Sequence, residues 1–158
     1  DQPLWGGAIG EHPVQWPEMS EFEEVVADYR AQGLSLRGHP FEAVREGVDR
    51  LGAVTADELR GVPQGRWAVV AGVVLLRQRP SSARGVTFVT LEDETGLVNL
   101  IIKQRVWEAY RQAARSATAL MAFGTVQNQE GVIHLLVSRV ADLSEMLRGV
   151  AVPSRDFR

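Results

Sequence analysis

Apolar and polar residues alternate along two short stretches near the middle of the chain. Residues 86–93 alternate with a period of two, which is typical of a strand with one buried face. Glu94-Thr95-Gly96 then predicts a tight turn, and residues 98–102 alternate again. Val89, Leu91, Val98, Leu100 and Ile102 are the predicted core set, with Phe88, Thr90, Asn99 and Ile101 on the outer face.

The flanking segments complete a recognisable order of elements. Trp67 to Leu76 is a Val-rich run that predicts a further strand, and Gly72 in its middle predicts a bend or bulge. An amphipathic helix is predicted from Lys103 to about Arg115, followed by a hairpin from Ala119 to Leu143. Three strands, a helix and two strands indicate a mainly β protein, a five-stranded OB-fold barrel over residues 66–145 whose end the helix plugs.

Residues 20–65 predict a small helical segment in front of the barrel. Ser20 with Glu23, and Thr55 with Glu58, have capping-box spacing, and Pro40 after His39 suits the first position of a helix. Glycines end the segments, at Gly33, Gly52 and Gly61. Residues 1–19 read as an extended linker and residues 146–158 as a tail.

Charge divides the chain. Residues 1–65 hold twelve acids and five Arg (5 − 12 = −7), whereas residues 66–158 hold eight acids and twelve bases (12 − 8 = +4). A polyanion is therefore expected to bind the second half. The absence of Cys excludes disulfides and thiol chemistry, and no apolar run or signal peptide indicates a membrane, so a cytoplasmic location is expected.

The outer face of the second and third barrel strands is the candidate binding site, and single-stranded nucleic acid is its expected ligand. Phe88 offers a stacking surface and Asn99 a paired donor and acceptor, with Thr90 between them. Phosphates would follow Arg77, Arg79 and Arg84 in the preceding loop, and Asn128 in the last hairpin loop would form the opposite wall. The alternative is that Phe88 belongs to the core and that the basic loop is only solvated.

No catalytic or metal-binding constellation is predicted. Glu92, Asp93 and Glu94 are consecutive, so their side chains diverge, whereas two-metal catalysis needs carboxylates that converge. His12, His39 and His134 are isolated, and phosphate-binding loops and nucleophile elbows are missing. The chain by itself is expected to be non-catalytic and to need no cofactor.

Several segments resemble one polymerase family. Gln78-Arg79-Pro80 and the run GVTFVTLEDETGLVN at 85–99 closely resemble the OB domain of bacterial C-family DNA polymerases, above all the error-prone paralogue of the polymerase III alpha subunit. Asp28-Tyr29, Gly33-Leu34-Ser35 and His39-Pro40 resemble the segment before that domain. Ser154-Arg155-Asp156-Phe157-Arg158 is similar to the C-terminus of the error-prone branch.

The resemblance implies a DNA-directed DNA polymerase of a damage-inducible mutagenesis cassette, used in translesion synthesis. Its catalytic acids and divalent metals would lie upstream of this chain. The implied partners are single-stranded template, an accessory Y-family-like protein and the sliding clamp. Gln2, Leu4 and Trp5 are similar to a clamp-binding peptide, although Leu4 and Trp5 would equally suit packing on the polymerase body.

Two functions are therefore open. The chain is either a module that holds single-stranded DNA or a docking module for the accessory protein or the clamp. In the second case the exposed acids of the first helix, Glu21, Glu24 and Asp28, are the candidate contacts.

Overall fold

A computed structural model describes residues 19–30, 34–35, 38–80, 85–148 and 150–151. The candidate residues Gln2, Leu4, Trp5 and Arg84 lie outside the described residues, as do the predicted helix stop at Gly33 and residues 152–158 of the tail. Within the described part of the chain, no helix is long and apolar enough to span a membrane.

The helices and strands follow the predicted order. Before the barrel come α1 (Met19–Arg30), β1 (Leu34–Ser35), α2 (Pro40–Arg50) and α3 (Ala56–Leu59). The barrel and its cap comprise β2 (Trp67–Gln78), β3 (Thr87–Asp93), β4 (Gly96–Ile102), α4 (Gln104–Ala109), α5 (Arg111–Ser116), β5 (Ala119–Gln129) and β6 (Val132–Asp142). They are followed by α6 (Ser144–Arg148) and β7 (Val150–Ala151), which pairs in parallel with β1. The single helix predicted over 103–115 is in fact two short helices that meet at Tyr110.

The five long strands close a barrel in the order β2-β3-β4-β6-β5. All neighbouring strands are antiparallel except β4 and β6, which run parallel. The predicted five-stranded OB fold is confirmed.

The barrel interior is built from the predicted alternation. Val89, Leu91, Val98, Leu100 and Ile102 are all buried in one cluster with side chains from β2, β5 and β6. Trp107 and Tyr110 of the helical cap pack against this cluster, as does the fully buried Ala114. Phe88, Thr90, Asn99 and Ile101 stay half-buried on the other side, so the predicted phase of both strands is correct.

A second core lies between the outside of the barrel and the helices. It joins Val69 and Ala71 of β2, and Met121 and Phe123 of β5, to the apolar faces of α1, α2 and α6. Those helical faces include Val25, Phe41, Val44 and Val48, which are fully buried. The two strands are thus buried on both sides, which explains why β2 reads as a continuous apolar run.

Gly72 does not carry the bulge that was one of the two predictions for it. The irregularity in the pairing of β2 with β3 falls between Val74 and Leu76, not at Gly72. A Cβ added at Gly72 would lie 2.8 Å from the carbonyl oxygen of Glu92. Glycine is needed there because the backbone of β3 approaches closely, so the predicted bulge at this residue was wrong.

The helix starts agree with the predicted caps in two of three cases. Thr55 and Glu58 form the complete capping box at α3, and His39 caps α2 by accepting a hydrogen bond from the Phe41 N–H at 3.0 Å. Ser20, by contrast, lies inside the first turn of α1, which begins at Met19.

The carboxylate of Asp93, at the end of β3, is buried to 2% exposure and accepts hydrogen bonds from three parts of the chain. Its Oδ1 accepts from the Thr95 N–H at 2.8 Å, the Thr95 hydroxyl at 2.9 Å and the Gly96 N–H at 3.1 Å. Its Oδ2 accepts from the Ala56 N–H at 2.8 Å and from Nη2 of Arg45 at 3.3 Å. One side chain therefore connects the β3–β4 turn to α3 and α2.

Arg77 holds the helical cap on the barrel. Its Nε donates to the Ala114 carbonyl at 2.7 Å and its Nη2 donates to the Ala117 carbonyl at 2.6 Å. These are terminal carbonyls of α5, which a helix cannot satisfy by itself. Burial lowers the pKa of the Arg77 guanidinium below its ordinary value.

We expect Asp93→Asn to lower the free energy of unfolding by roughly 3 kcal/mol. The carboxylate of Asp93 accepts hydrogen bonds at both oxygens. The side chain of Asn has only one oxygen, so its NH₂ group would face donors that then lack an acceptor. Urea unfolding measures the loss. The control Asp57→Asn changes an exposed acid that pairs with Arg60 across 3.3 Å, and it should cost less than about 1 kcal/mol. Equal effects of the two substitutions would contradict a special role for Asp93.

Arg77→Ala should lower the free energy of unfolding by about 2 kcal/mol, because two helix-terminal carbonyls lose their donor. Arg79→Ala, two residues away at an exposed position, should change it by no more than about 1 kcal/mol. Thermal unfolding of both variants tests the difference. A fully stable Arg77→Ala protein would show that the cap does not depend on this contact.

Candidate nucleic-acid interface

Two rows of half-buried side chains cross the outside of β3, β4, β6 and β5. Cross-strand pairing places Thr90 opposite Asn99, Asn99 opposite His134 and His134 opposite Gln127. These four are polar and neighbours within the sheet, so a ligand on this row would meet hydroxyl, amide and imidazole groups together.

The adjacent row is mainly apolar. It runs from Phe88 to Ile101, then to Leu136 and Thr125. The two rows are defined here as the strand face. An aromatic ring beside a row of amides offers a base both a stacking surface and hydrogen-bonding groups.

A groove of about 530 Å³ continues from the strand face towards α3. Asn99, Asn128 and Arg60 contribute to its lining, together with Leu97 and Val132. The last two are large apolar side chains left 51% and 47% exposed. The groove therefore combines two amides and a cation with accessible apolar surface.

Asn128 was predicted in the hairpin loop, but it lies in β5. The loop consists of Glu130 and Gly131, both with positive φ. The Asn128 side-chain oxygen accepts a hydrogen bond from the Gly131 N–H at 2.9 Å, and its backbone N–H donates to the Gln64 side chain at 3.3 Å. Its oxygen closes the turn, and its amide NH₂ remains beside the groove.

The two described arginines of the predicted phosphate track lie in different surroundings. Arg77 belongs to β2, not to the loop, and the carbonyls of the cap occupy its guanidinium. Arg79 is exposed, and its guanidinium carbon lies 5.2 Å from the centre of the Trp107 ring. Its Nη2 also reaches the Gln104 side-chain oxygen at 3.5 Å. Arg79 is thus the better placed of the two to reach a phosphate.

Each of the three consecutive acids Glu92, Asp93 and Glu94 has a side-chain partner, and Asp93 and Glu94 share Arg45. Glu92 lies 3.3 Å from Nε2 of His39, whereas both oxygens of Glu94 accept from Arg45, at 2.7 and 3.0 Å. Burial opposes the charge of Arg45, but hydrogen bonds to Glu94 and Asp49 outweigh it and raise its pKa. Among the described residues, no group of three or more His, Asp or Glu could hold a metal ion.

One further cation is buried in the barrel wall. Arg139 of β6 has its guanidinium carbon 4.4 Å from the centre of the Phe123 ring. Burial lowers its pKa to about 10 and raises the pKa of the nearby Tyr110 hydroxyl. Both groups stay protonated at neutral pH, so Arg139 keeps its charge inside the wall and away from the strand face.

The acids of α1 lie on the side of that helix away from the second core. Glu24 and Asp28 are exposed, and Glu21 is half-buried, whereas Val25 is fully buried. The predicted docking residues therefore share an accessible helix surface, with Glu21 at its margin.

Sequence reasoning missed His134, Leu136 and Thr125 as members of the strand face. Their alternation was visible, but the partner of β4 was not. The parallel pairing of β4 with β6 joins residues 35 positions apart, as in Asn99 with His134. A local sequence pattern cannot predict such a pairing.

Comparisons with known proteins agree with this geometry. The family described as "OB-fold nucleic acid binding domain" matches residues 68–143. The chain is 50% identical over 138 residues to an error-prone DNA polymerase of Methylococcus capsulatus, and 45% identical over 146 residues to one of Rhodopirellula baltica. These matches cover 87% and 92% of this chain. The chain spans only about 13% of the length of either relative.

One solved structure is similar to part of the chain at low identity. The asparaginyl-tRNA synthetase of Pyrococcus horikoshii matches 56% of this chain and 22% of its own, with a TM-score of 0.49 and 21% identity. The sequence relatives are far more similar and extend over the helical segment as well as the barrel. The chain is similar over 87–92% of its length to one segment of error-prone DNA polymerases, and its barrel is an OB fold.

Proposed function

We propose that this chain is the single-stranded-DNA-binding module of an error-prone, translesion DNA polymerase, and that the catalytic acids lie in another part of that enzyme. The observation that carries the proposal is the strand face, where Phe88 lies beside the polar row of Thr90, Asn99, His134 and Gln127. Relatives named as error-prone DNA polymerases support the polymerase context.

The strand face suits unpaired bases rather than a duplex. A base in a duplex is already stacked on its neighbours, so only an unpaired base can lie flat on Phe88. The amides of Asn99 and Gln127 both donate and accept, so they can meet the edge of any base. Such contacts tolerate many sequences, which suits a template of arbitrary sequence.

The phosphates of such a strand would lie towards the β2–β3 loop. The strand face holds no Lys or Arg among its eight residues, so charge neutralisation must come from its margin. Two exposed cations lie at this margin, Arg79 at the start of that loop and Arg60 beside the groove. Arg84 stays a candidate for the same loop.

Phe88→Ala should weaken binding to single-stranded DNA by on the order of 1–3 kcal/mol if the ring stacks on a base. Because a ring carries no charge, the dependence of the affinity on salt should stay nearly unchanged. Fluorescence anisotropy with a labelled oligothymidine across a salt series measures both quantities. Phe88→Leu, which keeps apolar volume but loses the aromatic face, should lose most of the same affinity.

Met19→Ala is the matched control, because it truncates an exposed apolar side chain on α1, away from the strand face. It should bind DNA like the unaltered protein. Unfolding of Phe88→Ala is not expected, since Phe88 lies outside the barrel core. Full affinity of a folded Phe88→Ala protein would remove stacking at this residue from the proposal.

A second candidate function is docking of a protein partner on α1. It is favoured by the accessible acids Glu24 and Asp28, which DNA would repel. The partner proposed from the family is the accessory Y-family-like mutagenesis protein. Binding of the sliding clamp through Gln2, Leu4 and Trp5 stays a separate prediction, because these residues lie outside the described ones.

Charge reversal at Glu21, Glu24 and Asp28 should weaken capture of the accessory protein, because rim charges set on-rate and specificity. Arg79→Ala should leave that capture intact. A pull-down with the purified accessory protein compares the two variants. If the arginine variant loses the partner while the acid variant keeps it, docking takes place on the barrel instead.

A further inference from the structure

The helical cap carries an exposed basic surface that lies outside the strand face. Lys103, Arg105, Arg111 and Arg115 are all exposed, on or next to α4 and α5. Glu108 is the one acid within residues 103–116, which leaves a net charge of 4 − 1 = +3. We define the cap surface as these four basic residues together with Arg79 and Trp107.

The four basic residues of the cap surface are not held in ion pairs within the described part of the chain. Glu108 accepts instead from the amide of Gln104 at 2.7 Å. Elsewhere in the described chain, Arg30, Arg45, Arg60 and Arg148 are each paired with an acid. The cap surface therefore keeps its positive charge available.

The arrangement of these cations is fixed by the fold. Arg111 and Arg115 are four residues apart on α5 and line one side of a hollow of about 470 Å³ with Gln112 and Ser116. Like charges at this spacing repel each other and destabilise a helix. A bound anion between them would relieve the repulsion, because each guanidinium can donate to a phosphate.

The cap surface is continuous with the margin of the proposed binding site. Arg79 leaves β2 and lies over the Trp107 ring of α4, as described above. At the other end of the loop, a Cβ on Gly85 would collide with Gln104 of α4. Both ends of the β2–β3 loop thus rest on the cap, and β3 with Phe88 begins two residues later.

We infer that the cap surface binds the sugar-phosphate backbone of the DNA strand whose bases lie on the strand face. This inference rests on the proposed function and extends it. The nucleobases lie on the strand face, which is aromatic and uncharged. The phosphates lie on the cap surface, which is cationic. The strand leaves the strand face past Arg79 and continues across α4 and α5.

The test compares two double variants with the same change of charge. Arg111→Gln with Arg115→Gln removes the two cations that line the hollow. Arg50→Gln with Arg148→Gln removes two exposed cations from α2 and α6. Two ligands are used, oligothymidine and an abasic strand of the same length, which keeps the phosphates and has no bases to stack. Thermal unfolding confirms that each variant is folded.

The cap variant should bind both ligands more weakly, and its log–log salt slope should fall by about 1.4, since each phosphate contact on a single strand contributes about 0.7. The control variant should keep the slope of the unaltered protein. Phe88→Ala should weaken binding of oligothymidine and leave binding of the abasic strand unchanged. A polyglutamate of equal charge should compete poorly with the abasic strand.

An unchanged slope in the cap variant, with weakened oligothymidine binding by Phe88→Ala, would overturn the inference and leave the proposed function standing. A reduced slope in the cap variant, with unchanged oligothymidine binding by Phe88→Ala, would support phosphate binding by the cap surface and contradict base binding by the strand face. Equal competition by polyglutamate would identify the cap surface as a site for acidic protein segments, and the inference would fail. Absence of binding to either strand at low salt would overturn both proposals.

Discussion

The buried carboxylate of Asp93 is the contact on which the arrangement of this protein depends. A buried charge is costly unless it is fully hydrogen-bonded. Asp93 meets that requirement with donors from its own turn, from the start of α3 and from Arg45 of α2. Because the donors come from separate parts of the chain, the β3–β4 turn, α3 and α2 must come together for the charge to be satisfied. The helical segment is thereby seated on the barrel at one end.

The second core decides which side of the barrel can bind a ligand. Helices α1, α2 and α6 cover the outside of β2 and β5, where Val69, Ala71, Met121 and Phe123 are buried. The outside of β3, β4 and β6 carries Phe88, Asn99 and His134, which stay partly accessible. The strand face is therefore the part of the barrel wall that the helices leave open, and it is flanked by the groove at α3 and by the helical cap.

Charge is distributed in the same pattern. The exposed acids of α1 belong to one of the helices that cover the outside of β2 and β5. Exposed cations that form no ion pair with a described residue lie on the helical cap, next to the β2–β3 loop. Two other arginines of the barrel are used internally, because Arg77 fixes α5 to β2 and Arg139 is buried against Phe123. The number of basic residues in 66–158 is therefore larger than the number available to a ligand. The positions of the exposed basic residues show where a ligand would meet positive charge.

The local residue pattern was enough to predict the helices and strands and the side of each strand that is buried. Period-two alternation fixed which side chains of β3 and β4 enter the core, because successive residues of a strand point in opposite directions. Capping patterns fixed the starts of α2 and α3, and the order of elements was enough for the barrel. Three features could be seen only in the folded chain: β4 pairs with β6, Gly72 allows two strands to approach closely, and Arg77 holds the helical cap. The physical reason is that these features depend on contacts between residues far apart in sequence, for which local periodicity and propensity carry no information.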